Sequence, residues 1–111
     1  MLFRVLYVGM LWLAGCSATV QAHTRCAAEV GSRSINGRHT TEVVFVNKRA
    51  QTITIWWLDY KGKRVQYNTL ASGDHYTQQT YVTHPWVVTD TQGQCLGLFF
   101  PDAQRRTIDV Q

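Results

Sequence analysis

Tyr67, Gln79, Thr80, His84 and Trp86 fall within one stretch, YNTLASGDHYTQQTYVTHPW. Two aromatic faces beside an amide, a hydroxyl and an imidazole are the make-up of a small recognition pocket: a flat apolar wall with hydrogen-bonding groups next to it. A segment meant only to fill a core would carry aliphatic residues on one face. Catalytic chemistry has less support. No Ser-His-Asp set, phosphate loop or pair of carboxylates stands at an informative spacing, and the four histidines, His23, His39, His75 and His84, lack metal-ligand spacing. The expectation is a binding module with no catalytic residue, cofactor or metal. Plainer readings stand beside it. Tyr67, Trp86 and Trp57 also suit a core, Gln78, Gln79 and Thr80 also suit strand-edge hydrogen bonding, and His84 before Pro85 also suits a turn cap.

The elements that position these residues read as strands. Thr40–Asn47 alternates and is rich in β-branched residues, and Lys48-Arg49-Ala50 turns the chain. Residues 51–60 form the strongest strand pattern, with Ile53, Ile55 and Trp57 on the better core face and Thr52, Thr54, Trp56 and Leu58 on the other. Asp59-Tyr60-Lys61-Gly62-Lys63 is a hairpin signal, Gly62 supplying the positive φ. Strands are predicted over 64–69, 75–83, 86–90, 94–100 and 105–110, separated by Gly73, Pro85, Gly93 and Pro101. Seven short strands, with no helix expected in the mature chain, predict an all-β, seven-stranded β-sandwich in one domain, residues 23–111.

Residues 1–22 read as a signal peptide, with Arg4 preceding the apolar run 5–13, which is too short for a permanent membrane span. Two processing sites compete. Leu13-Ala14-Gly15-Cys16 matches a lipobox that would place lipid on Cys16, whereas Val20-Gln21-Ala22 matches an ordinary peptidase site that would discard it. Either way the protein is expected to be exported, whether periplasmic, secreted or lipid-anchored to the cell envelope. Cys26 and Cys95 then remain as an even pair in an oxidising compartment, which predicts a disulfide. Free thiols or a metal pair are the alternatives, and no CxxC spacing supports the second. Net charge is +4, and the basic residues are scattered among turns. A nucleic-acid footprint would need a denser stripe, so no nucleic-acid partner is expected.

From Arg33 to about Asp90 the chain resembles the β-domain of the von Hippel-Lindau tumour suppressor family. The likeness lies in Arg33-Ser-Ile-Asn36, Val43-Val-Phe-Val-Asn47, Trp57-Leu58, Gly62, Tyr67-Asn-Thr-Leu70, Gly73, Tyr81, His84 and Trp86. WLDYKGKR, QQTYVTHPWVVTD and CLG resemble stand-alone, bacterial-type relatives of that domain. The resemblance implies a β-sandwich that binds an extended peptide carrying hydroxyproline. By position, Tyr67 and Trp86 would wall an aromatic cage, Trp57 would support it, His84 and Thr80 would hydrogen-bond the hydroxyl, and Asn36 and Arg38 would flank the peptide. Thr80 stands where the family has serine, and Gln79 where it has a histidine that touches the peptide backbone. The helical domain that recruits a ubiquitin-ligase scaffold has no counterpart in this sequence, so that partner is not expected. Two other readings stay open: an envelope structural or assembly protein with a degenerate pocket, and a copper-dependent enzyme built on His23, which cleavage after Ala22 would make amino-terminal.

Overall fold

The computed structural model describes residues 26–111. Within them seven strands follow in order: β1 Thr40–Asn47, β2 Ile53–Leu58, β3 Arg64–Leu70, β4 His75–Tyr81, β5 Trp86–Thr89, β6 Cys95–Phe99 and β7 Arg106–Val110. They make two sheets, β4-β1-β7 and β3-β2-β5-β6. All pairings are antiparallel except β1 with β7. The all-β sandwich expected from the alternation is therefore present, with every strand end within two residues of its predicted limit. The lead-in holds one 3-10 turn, Ala27–Glu29, where no helix was expected.

Facing residues of the two sheets build the core. Val43 and Phe45 of β1 meet Ile53 and Ile55 of β2, Trp86 and Val88 of β5, and Ile108 and Val110 of β7. Strict alternation places them there, since alternate side chains of a strand share a face. The opposite face of β2 is not a solvent face, because Thr54 and Leu58 are buried too. The N-terminal segment is tied to that outer side. The Cys26–Cys95 disulfide is formed, Arg64 Nε and Nη2 meet the Glu29 carboxylate at 2.7 and 2.9 Å, and Arg64 Nη1 donates to the Gly93 carbonyl at 3.0 Å. The same guanidinium lies 6.0 Å from the Trp56 ring centroid. At the far end of the sandwich the buried Asn47 amide donates to the carbonyls of Gln51 and Leu70, joining β1 to the hairpin of the other sheet.

Two local features of the β2–β3 hairpin aim its aromatic side chains. The β2–β3 ladder passes from Ile55–Asn68 to Trp56–Gln66 and leaves Tyr67 without a partner, a β-bulge that re-aims its side chain. The hairpin between those strands closes on Asp59, whose carboxylate accepts from the backbone N–H of Lys61 and Lys63 at 2.8 and 2.9 Å. Gly62 at φ +80 lies so close to the Ser32 carbonyl that a Cβ would sit 2.9 Å from it. Together the Asp59 contacts and Gly62 fix the backbone that carries Tyr60.

Candidate binding site

Trp86 is the floor of an aromatic cluster at one end of the sandwich. It is 2% exposed, packs edge-to-face on Phe45 at 6.0 Å, and its indole N–H donates to Thr80 Oγ1 at 3.0 Å. The bulged Tyr67 stands edge-on to it at 5.0 Å and reaches Trp57 at 6.1 Å. Trp57 lies opposite Trp86 across the β2–β5 ladder, so the two share a face. The His84 ring lies over Trp57 at 5.3 Å and 30°, and Tyr60 meets both edge-on at 5.6 and 5.4 Å. Tyr81 closes the ring beside His84 at 5.0 Å.

Trp57 and His84, like Trp86, are each held by a polar partner. Trp57 Nε1 donates to Ser34 Oγ at 2.8 Å, and the buried Ser34 in turn donates to the Leu58 carbonyl at 2.6 Å. Thr83 Oγ1 donates to the Asn36 carbonyl at 2.9 Å and accepts from the Asn36 N–H at 3.0 Å, which keeps residues 34–36 against the β4–β5 connection. His84 Nε2 pairs with the Tyr60 hydroxyl at 3.1 Å. Burial holds the His84 pKa below its ordinary value of 6.5, with a hydrogen bond to the Asn36 backbone pulling the other way, so the ring is neutral at neutral pH. Burial, with a smaller contribution from Tyr67, pushes the Tyr76 phenol up to about 12 and keeps it protonated, donating to Gln78 Oε1 at 3.0 Å.

Uncommitted hydrogen-bonding capacity remains at the floor. Thr80 accepts from Trp86, and no acceptor among the described residues takes its own proton. Thr41, its cross-strand partner, is 8% exposed, and its hydroxyl has no hydrogen-bond partner among the described residues. The mouth is apolar: Ile35, Tyr60, Val65 and Tyr67 are four of the six large hydrophobic side chains exposed among the described residues. It lies at β3 and β4, each an edge strand of its sheet, so free backbone N–H and C=O groups run beside it.

The structure thus brings Trp57, Tyr67, Thr80, His84 and Trp86 together. It does not bring Gln79 with them. Thr80 and Gln79 are neighbours on a strand and face opposite ways; Gln79 pairs with Glu42 on the outer side and its amide donates to that carboxylate. Asn36 is adjacent through its backbone, while its side-chain oxygen accepts the Arg38 N–H at 3.1 Å in a local turn, leaving Arg38 exposed at the rim. Ser34, Tyr60, Tyr81 and Thr83 were not predicted to act here. The signal for Ser34 was the need of a strand-borne indole N–H for an acceptor, and that for Tyr60 was its place in a Gly-closed hairpin. His23 and Cys16 lie outside the described residues, as does the signal-peptide reading. Among the described residues no group of three or more His, Cys, Asp or Glu side chains could hold a metal ion.

Residues 32–98 match the VHL beta domain family. The chain belongs to that family. The matched span begins beside Ser34 and ends within β6, so it holds the whole aromatic cluster of this VHL-type β-domain. The Glu29–Arg64 ion pair starts outside the match, and so does the Cys26 half of the disulfide.

Proposed function

We propose that this VHL-type β-domain is an exported, non-catalytic module that binds an extended peptide or protein segment and recognises hydroxyproline within it. The observation that supports the reading best is the pairing of an aromatic enclosure, Trp57, Tyr67 and Trp86, with a neutral imidazole and a hydroxyl whose proton is uncommitted. A pyrrolidine ring gains apolar contact from the aromatic faces whether or not it is hydroxylated. Discrimination comes from the polar pair. Thr80 is already only 4% exposed with its hydroxyl proton unpaired, so a hydroxylated ring supplies the missing acceptor, at about 1–3 kcal/mol, and an unmodified ring does not. The free edge of β4 offers the peptide backbone a ladder, and the neighbouring apolar mouth takes its flanking side chains.

The test is calorimetric titration of the disulfide-intact protein with peptide pairs that differ only in one proline hydroxyl. The hydroxylated member should bind about tenfold or more tightly. Thr80→Ser should keep that preference and Thr80→Val should abolish it, provided urea unfolding shows the variants folded. A varied hydroxyproline panel that binds nowhere would reject the reading and favour an envelope assembly role with a degenerate pocket.

A further inference from the structure

We propose that Tyr60 is a selectivity-determining gate, whose hydroxyl occupies His84 Nε2 in the unliganded protein and must yield it to the hydroxyl of the ligand. This rests on the recognition function proposed above. The phenol oxygen lies 3.1 Å from Nε2. A phenol is a better donor than acceptor, so the Tyr60 O–H donates to a lone pair on Nε2, and the proton of the neutral ring then lies on Nδ1. The site then offers an acceptor, Nε2 of the ring that lies over Trp57, and a donor, the Thr80 O–H below Trp86. A hydroxyl group satisfies both at once; a carbonyl or an ether satisfies only the second. Tyr60 presents to Nε2 the same chemical group that the ligand would bring.

Its placement suits exchange. Tyr60 sits on the β2–β3 turn, 48% exposed, held by two edge-to-face ring contacts and this single hydrogen bond. The turn itself is fixed by the Asp59 carboxylate and Gly62, so the side chain can swing outward without moving the backbone. Swapping one O–H···N bond for another is nearly isoenergetic, so in the wild-type protein the imidazole adds little net affinity for a hydroxylated ligand. A ring without the hydroxyl offers Nε2 no partner and leaves Tyr60 in place, so Tyr60 sets how much of the His84 preference for a hydroxylated ligand is expressed.

Tyr60→Phe removes the competing hydroxyl and keeps the ring. The hydroxylated peptide should then bind about fivefold to tenfold more tightly, the equivalent of one regained hydrogen bond, and its unmodified twin should change little. An unchanged or reduced preference overturns the gate. A second readout needs no ligand: the ¹⁵N resonance of His84 Nε2 should move downfield in Tyr60→Phe as the lone pair loses its donor, while the Nδ1 proton stays. A stationary resonance shows that Tyr60 does not occupy Nε2 and also overturns the proposal. If the resonance moves but neither protein binds any peptide, the occupancy is correct while the recognition function fails, and the selectivity role fails with it.

Discussion

Ser34→Ala should destabilise the protein far more than its single lost oxygen suggests. Ser34 is fully buried and serves two groups at once, accepting from Trp57 Nε1 at 2.8 Å and donating to the Leu58 carbonyl at 2.6 Å. Removing it orphans an indole N–H and deprives a carbonyl of a donor, each at about 1–3 kcal/mol when buried. Trp57 is only part-buried, so water relieves some of the first loss, and the total comes to about 2–4 kcal/mol. That is a large share of the roughly 5–15 kcal/mol expected of a small domain. Urea unfolding of the wild type, Ser34→Ala, Trp57→Phe and the double variant measures it, with an unchanged m-value showing that stability alone has shifted. In the Trp57→Phe background Ser34→Ala loses only the Leu58 bond, so the two substitutions should couple by about 1 kcal/mol. A coupling within the ~0.3–0.5 kcal/mol scatter of independent sites would refute the claim that Ser34 orients Trp57.

The disulfide and the titrating groups give two further expected outcomes. Replacing Cys26 and Cys95 by serine reopens a loop of sequence separation 69, and chain entropy puts the loss at about 4 kcal/mol. The part-exposed Glu29–Arg64 pair that remains should replace little of it, so a fall in urea stability under about 1 kcal/mol would show that segment 26–34 is held by other means. Stability should also fall on mild acidification. Burial lowers the His84 pKa below 6.5 in the fold, so as pH drops through 6.5 the unfolded chain takes up a proton first, and the loss grows until the folded ring itself protonates. Unfolding midpoints at about pH 7.5 and about pH 5 should show a larger drop for the wild type than for His84→Gln; equal drops would place the titrating group elsewhere. A separate fall belongs below 3.8, where the Asp59 carboxylate, held low chiefly by its hydrogen bond from Lys63, becomes protonated and loosens the turn that carries Tyr60.

The outward direction of Gln79 was legible in the sequence. Adjacent residues of a strand face opposite ways, so Gln79 and Thr80 could not both enter one pocket by their side chains unless a bulge lay between them. The bulge lies instead in β3, at Tyr67, where no glycine or proline marks it. Trp86 shows a different limit. Its type and spacing place it in the site, yet only the packing of Phe45 beneath it and Tyr67 beside it makes it a buried floor instead of an exposed wall.

By itself the sequence determined the properties that depend on near neighbours: the alternation that makes seven strands, the Gly-marked turns, and the pool of aromatic and hydroxyl residues. The Cys26–Cys95 disulfide was foreseen from an even pair of cysteines together with the oxidising compartment expected for an exported chain. Tertiary structure alone decided which of those residues meet. Ser34 under Trp57, Tyr60 on His84 and Thr80 beneath Trp86 are side-chain pairs from different strands and turns, separated along the chain by 23, 24 and 6 residues. Their hydrogen bonds depend on sheet register and on a bulge, and those are set by packing the whole sandwich.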